Sequence, residues 1–158
     1  MYERLLVPLD GSPLAESVLP HAEEIATRFG SRVILLRVAP SLASFMAETI
    51  PGGGLPTAGA EAELGVEVAE KEYQVEQQSA GSYLDGIAAR FTAKGLKADK
   101  LVREGPPGGV ILETAHEQNA NLIAMSTHGR TGIARTVLGS VADEVVRASH
   151  LPVLPIHP

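Results

Sequence analysis

Short apolar runs that alternate with helix-patterned segments constrain the fold of this chain more than any other feature. The segments between the runs carry apolar residues three and four positions apart, which is the helical period. Runs this short and apolar are typical of strands buried on both faces of a parallel sheet. Because crossovers between parallel strands are right-handed, the alternation predicts an α/β fold with an open five-stranded parallel sheet, doubly wound, with helices on both faces. The five predicted strands span residues 4–9, 32–38, 97–103, 121–125 and 152–156.

Length and composition fit one domain over residues 1–158 and argue against several classes of function. With 158 residues and 44% apolar content the chain can bury a substantial core. It has no apolar run of about 18 residues and no charged-then-apolar leader, so we expect no membrane partner and a cytoplasmic location. The formal net charge of −6 comes without a basic stripe, which argues against a nucleic-acid partner. Cysteine is absent and the histidines lack metal-ligand spacing, so no metal site is expected from protein side chains.

The turn after the first strand is a candidate ligand loop. Asp10 and Gly11 end the apolar run. Ser12 suits a helix N-cap, and Pro13 suits the first helical position, where its missing N–H costs nothing. Asp10 has two interpretations that the sequence leaves open. Its carboxylate either closes an Asx turn on its own loop or contacts a ligand.

A second candidate loop runs from Met125 to Gly129 and is followed by Gly139 and Ser140. A strand ends here in a polar, glycine-containing loop, and a helix follows. The unpaired amides at a helix N-terminus favour an anion, so this stretch predicts a phosphate site. Gly139 costs about 1 kcal/mol against alanine in a helical pattern, which a close backbone approach explains. Ser140 either caps the helix or contacts the ligand, and His128 is more simply a surface histidine than a base.

The spacing of these residues resembles the nucleotide-binding signature of the universal stress protein family. Ser126-x-x-Gly129, nine further residues and then Gly139-Ser140 is similar to the signature G-x-x-G, nine-residue spacer, G-[S/T]. The resemblance extends along nearly the whole chain, from Leu5 into the last strand. It implies the strand order 3-2-1-4-5, and ATP whose phosphates and ribose are held by Gly129, Gly139 and Ser140. Ser126 departs from the first signature glycine, and its side chain either donates to a phosphate or crowds it.

The resemblance also implies the remaining site residues. Asp10 occupies the family position that contacts adenine or ribose, and Val38 matches the valine that flanks adenine in the family. In the implied order, strands one and four are neighbours whose connections leave in opposite directions, so the two candidate loops are expected to form the walls of one crevice. The expected ligand is ATP, with Mg²⁺. The predicted nucleotide-binding residues are Pro8, Leu9, Asp10, Val38, Met125, Ser126, His128, Gly129, Arg130, Gly139, Ser140 and Val141.

Three other segments carry predictions of their own. Residues 39–65 are rich in proline and glycine and are predicted as a mobile loop, with a helical turn around Phe45 and Met46 left open. Residues 67–91 are predicted as a long helix. The C-terminal strand 152–157 is expected to pair two copies in a homodimer, as the family resemblance implies. Pro155, which lacks an N–H, is expected to shorten that pairing.

Three functional hypotheses follow. The first is an ATP-binding regulatory protein of the universal stress type that acts in stress response through nucleotide-dependent dimer or loop states on an unidentified protein partner. The second is a dimeric interaction module that binds no nucleotide, or a binder of AMP or a cyclic nucleotide. A dedicated ATPase is disfavoured, because Arg130 and Arg135 supply charge but no general base is spaced to help.

Overall fold

The computed structural model describes residues 1–49, 60–127 and 138–157. Within them, strands and helices alternate as the sequence predicts, and the observed bounds differ from the predicted ones by a few residues at most ends. The strands are β1 (Arg4–Pro8), β2 (Arg32–Ala39), β3 (Ala98–Glu104), β4 (Leu122–Ser126) and β5 (Val153–Ile156). The helices are a 3-10 turn (Ala15–Val18), α1 (Leu19–Phe29), α2 (Leu42–Thr49), α3 (Ala60–Ala93), α4 (Pro107–Glu117) and α5 (Ser140–Ala148).

The five strands form one sheet in the order β3-β2-β1-β4-β5, and every pair is parallel. Leu5 of β1 lies beside Val33 of β2 on one side and Leu122 of β4 on the other. This confirms the open, doubly wound sheet and the order implied by the family resemblance. The direction of winding reverses between β1 and β4, so their connections leave toward opposite faces.

Two apolar cores lie on the two faces of the sheet. Leu5 and Val7 point to the face covered by α1 and α3, whereas Leu6 points to the face covered by α4 and α5. All three side chains are fully buried. Since alternate residues of a strand face opposite sides, burial on both faces explains why β1 is a continuous apolar run.

The first loop and helix differ in one respect from the prediction. The Asp10 Oδ1 accepts a 2.9 Å hydrogen bond from the Ser12 amide, and the Ser12 Oγ accepts a 3.1 Å bond from the Ala15 amide. Pro13, however, lies in a turn before the helix, and the first helical residues form the separate 3-10 turn. The reason is Pro20 near the start of α1, whose missing N–H makes it suitable there and unsuitable inside one continuous helix.

The segment predicted as a mobile loop, 39–65, contains helix α2, and α3 begins within it at Ala60. The helical turn left open at Phe45 and Met46 is thus present. The Phe45 ring packs against Tyr73 of α3, with centroids 5.8 Å apart and an interplanar angle of 60°. Residues 50–59 lie outside the described part of the chain, and mobility of the segment stays a prediction.

The last strand, β5, lies at the edge of the sheet. The carbonyls of Pro152 and Ile156 accept hydrogen bonds of 3.1 and 2.8 Å from β4 and the residue after it. Pro155 has the opposite parity, so its nitrogen faces the open edge, as expected for a proline in a sheet. Among the helices that the structure describes, none has the length and apolar character to cross a membrane.

Candidate functional site

The carboxyl ends of β1, β2 and β4 and the first turn of α5 surround a cleft of about 360 Å³. It lies where the connections of β1 and β4 diverge, which is the usual ligand position in an open α/β sheet. Its walls are mainly apolar, with polar groups at the strand ends. The lining residues are Pro8, Leu9, Asp10, Ala15, Leu36, Arg37, Val38, Pro40, Pro107, Ile111, Met125, Ser126, Thr127, Gly139, Ser140, Val141 and Ala142.

The cleft brings together every predicted site residue that the structure describes. The described residues of the two candidate loops lie on two of its walls, as expected for neighbouring strands at a switch point. Three predicted residues, His128, Gly129 and Arg130, lie outside the described part of the chain. The nine predicted residues that line the cleft are Pro8, Leu9, Asp10, Val38, Met125, Ser126, Gly139, Ser140 and Val141.

The N-terminus of α5 opens onto the cleft. Gly139 is the N-cap, so Ser140 is the first helical residue and its interpretation as a cap is wrong. The Gly139 amide donates a 2.8 Å hydrogen bond to the Thr127 carbonyl oxygen. A Cβ at residue 139 would lie 3.0 Å from that oxygen, so the predicted close backbone approach is confirmed.

The amides of the first turn of α5 are suited to an anion. Within a helix, the first N–H groups have no carbonyl partner. No side chain in the described part of the chain caps this helix. Because Ser140, Val141 and Ala142 all line the cleft, this turn directs the positive end of the helix dipole toward it.

The opposite wall is the loop at Asp10. The bond between the Asp10 carboxylate and the Ser12 amide is the Asx turn that the sequence left open. Asp10 also lines the cleft, so the turn does not remove it from reach of a ligand. Gly11 has φ +81°, a conformation that favours glycine and allows this tight turn.

Arg37 is a cleft residue that sequence reasoning missed. It lies near the end of β2 and is 5% exposed. Its Nη2 lies 3.5 Å from the Glu76 Oε1 of α3. A signal was present, because arginine is rarely buried without a partner, and here it interrupts the apolar run from Val33 to Ala39. Assigning β2 as a buried strand from its apolar residues alone gives no reason to consider Arg37 a site residue.

Arg37 belongs to a polar cluster beneath the Asp10 loop, formed by Asp10, Glu16, Arg37, Glu76 and Tyr83. Burial raises the pKa of Tyr83 well above its ordinary value, and the charge of Glu16 raises it further. The Tyr83 hydroxyl donates a 3.2 Å hydrogen bond to the Glu16 Oε1. The charges of Asp10 and Arg37 act on the same phenol in opposite directions. Tyr83 therefore stays a protonated donor across the physiological pH range.

The end of β4 is buried and held by β5. Ser126 is 8% exposed and Thr127 is 3% exposed. The Thr127 amide donates a 2.8 Å bond to the Ile156 carbonyl, and its Oγ1 lies 3.5 Å from the His157 Nδ1. The residue that replaces the first signature glycine thus lies in the cleft wall, next to Thr127, whose amide is bonded to β5.

The arrangement suits a ligand with an anionic end and a flat apolar end. The first-turn amides of α5 are suited to an anion. Val38 and Met125 near the strand ends and Ile111 of α4 provide apolar surface. Across the described residues, no three histidine, aspartate or glutamate side chains are grouped to hold a metal ion.

Comparison with known proteins agrees with this geometry. The universal stress protein MJ0531 of Methanocaldococcus jannaschii is 31% identical over 154 residues, covering 98% of this chain and 81% of that protein. The solved structure of MJ0577 is similar with a TM-score of 0.78 and 25% identity, covering 100% of this chain and 97% of the other. A universal stress protein solved in complex with cAMP matches with a TM-score of 0.58 and 22% identity, covering 99% and 97%. The model of the universal stress protein family matches residues 1–157. The chain belongs to the universal stress protein family.

Proposed function

We propose that this protein is a nucleotide-binding regulator of the universal stress type, and that its cleft takes ATP with Mg²⁺. The observation that carries the proposal is the pairing of two different walls in one cleft. The first turn of α5, which no described side chain caps, is suited to phosphates, and the wall at Asp10 and Val38 is suited to a nucleoside. The family member solved with cAMP supports an adenine nucleotide as the ligand class.

The charges of the ligand determine its orientation. Anions at a helix N-terminus gain roughly 0.3–1 kcal/mol, and up to about 2 kcal/mol when partly buried. The phosphates therefore lie against Ser140 to Ala142, and the base lies toward Val38. Mg²⁺ binds mainly to phosphate oxygens and water, because it needs few protein ligands when phosphates are present.

Regulation is proposed to act through the sheet edge. The β5 edge strand is available to pair with a second copy, and Pro155 removes one donor from that edge, so the homodimer pairing is expected to be short. The Thr127 amide of the cleft bonds to Ile156 of the same strand. A change at the phosphate end of the cleft is thereby transmitted to the surface that a partner copy would contact.

The second candidate is a dimeric interaction module that binds no nucleotide. Ser126 favours it, because a buried side chain occupies the cleft wall where the signature has glycine. If the Ser126 side chain crowds a phosphate, Ser126→Gly tightens binding. If the hydroxyl donates to the phosphate, Ser126→Gly weakens binding.

Isothermal titration with ATP–Mg²⁺, AMP and cAMP tests the proposal on the full chain. We expect saturable binding of ATP–Mg²⁺ to the wild-type protein. The Ser126→Gly variant then decides between the two roles of Ser126 by the sign of its effect. Absence of binding by all three nucleotides in both proteins would refute the first candidate and favour the second.

A further inference from the structure

Arg37 contacts both the cleft and a helix that lies outside it. The arginine lines the cleft and is almost fully buried. Its ion-pair partner, Glu76, belongs to α3 and has a side chain that is 36% exposed. None of the described residues of α3 lines the cleft. The Arg37–Glu76 pair therefore connects the cleft wall to a helix whose described residues do not line the cleft.

The guanidinium of Arg37 lies flat against the Asp10 loop. A Cβ at Gly11 would lie 3.6 Å from Nη1, 3.7 Å from Cζ and 3.8 Å from Nη2 of Arg37. Three nearly equal distances indicate that the face of the group, rather than one N–H, meets residue 11. Arg37 thus supports the loop whose amide and carboxylate form the turn at Asp10 and Ser12.

The charges around Arg37 argue against a second phosphate site. Glu76 lies at hydrogen-bonding distance, and the charges of Glu16 and Asp10 act on Tyr83 in the same polar cluster. A phosphate placed there would meet several carboxylates, and like charges at close range oppose one another. A buried guanidinium in acidic surroundings is better suited to holding neighbouring groups in place.

Helix α2 provides a second connection between α3 and the cleft. Pro40 lines the cleft and lies just before α2 in the chain. The Phe45 ring of α2 packs on Tyr73 of α3, one turn before Glu76. The α2–α3 pair is therefore joined to the cleft both through Pro40 and through Arg37.

We propose that Arg37 is a positioning residue for the nucleotide, and that its ion pair with Glu76 couples the placement of α3 to occupancy of the cleft. This inference rests on the proposed nucleotide-binding function. Arg37 acts through the Asp10 loop, and Glu76 sets where the guanidinium lies. By linkage, a ligand that stabilises the Asp10 wall also stabilises the middle of α3.

The test compares Glu76→Gln with Glu72→Gln. Both variants remove one carboxylate from α3 and keep the side-chain size, but Glu72 is exposed and lies one turn away from Glu76. We expect Glu76→Gln to weaken ATP–Mg²⁺ binding by about 5-fold or more, the lower end of typical coupling, and Glu72→Gln to leave it unchanged. In Arg37→Gln, the further change Glu76→Gln should add little, because the two residues act as one unit.

Hydrogen exchange supplies a readout that a merely structural role would not change. In the wild-type protein, ATP should slow amide exchange around Glu76 and at Ser12, whose amide bonds to Asp10. In Glu76→Gln the effect on α3 should be lost. If Glu76→Gln does not fold, Glu76→Asp against Glu72→Asp makes the same comparison with the charge kept and the reach shortened.

The outcomes separate this inference from the proposed function. Equal ATP affinity in Glu76→Gln and Glu72→Gln, or tighter binding in Glu76→Gln, would overturn the inference while leaving nucleotide binding intact. If the wild-type protein binds no nucleotide, the proposed function fails. In that case, the exchange rate of the Ser12 amide without ligand tests whether the Arg37–Glu76 pair holds the Asp10 loop in place. A faster rate in Glu76→Gln than in Glu72→Gln supports that role, and equal rates overturn it.

Discussion

Replacing Gly139 with alanine tests the close approach on which the proposed anion site depends. The added Cβ would lie 3.0 Å from the Thr127 carbonyl oxygen. That oxygen belongs to the backbone at the end of β4 and already accepts a 2.8 Å bond from the Gly139 amide. It cannot rotate away as a side chain would, so the start of α5 must move by a few tenths of an ångström.

Two opposing effects determine the change in stability of this variant. Residue 139 has φ −58° and ψ 154°, which alanine adopts without strain. Alanine therefore restricts the unfolded chain and stabilises the protein by about 0.4–1 kcal/mol. Overpacking of a tight contact costs about 1–3 kcal/mol. We expect a net loss of about 1 kcal/mol in the free energy of unfolding.

The loss of ligand affinity should exceed the loss of stability. Movement of α5 displaces the amides of Ser140, Val141 and Ala142 relative to the Asp10 wall. Hydrogen bonds to charged groups contribute about 1.5–3 kcal/mol each, so partial loss of one already approaches 1.4 kcal/mol. That corresponds to roughly 10-fold in the dissociation constant for ATP–Mg²⁺.

Titration calorimetry and urea unfolding of Gly139→Ala and Gly86→Ala provide the comparison. Gly86 is exposed on α3, and a Cβ there meets nothing within 4 Å. Its variant should keep wild-type affinity and gain about 0.8–1 kcal/mol of stability, since glycine is unfavourable inside a helix. Wild-type ATP affinity in Gly139→Ala, or an equal loss in both variants, would refute the close-approach reasoning.

Three further predictions concern the fold and the polar cluster. Leu6→Ala, at a fully buried side chain of β1, should lower the free energy of unfolding in urea by about 2–5 kcal/mol, whereas Leu64→Ala, at a side chain that is 62% exposed, should change it by less than about 0.5 kcal/mol. Gly11→Ala should cost about 1–2 kcal/mol in the same assay because φ is +81°, and wild-type stability would show that the turn tolerates a side chain. Burial and Glu16 raise the pKa of Tyr83 in the folded protein above its ordinary value of 10.0. The protonated phenol therefore makes its full contribution to stability below pH 10, and that contribution is lost as pH rises through the folded pKa. Urea unfolding at several pH values above 10 should therefore show a smaller loss of stability in Tyr83→Phe than in the wild-type protein, and equal losses would contradict the assignment.

Local patterns in the sequence determined the elements of this fold. β1, β2 and β4 are mainly apolar runs because both faces of the sheet are covered there. The edge strand β3 is only partly buried and carries charged residues, and the alternation of Ala98, Leu101 and Val102 predicted it. The glycine at position 139 was also informative by itself, since a glycine at the head of a helical pattern predicted a close backbone approach, which the structure has beside Thr127. The strand order and the proposed ligand came from the family resemblance, because periodicity does not specify which strands are neighbours or what binds between them.

Tertiary structure decided the features that depend on residues distant in the chain. Helix α2 follows a proline and carries little periodicity of its own, and Phe45 packs on Tyr73, a residue that sequence spacing does not place beside it. Arg37 is an isolated charge in a strand until the fold brings Gly11 over its guanidinium and Glu76 beside it. Burial of a charge depends on partners from other elements, so only the folded chain shows that this arginine belongs to the wall of the cleft.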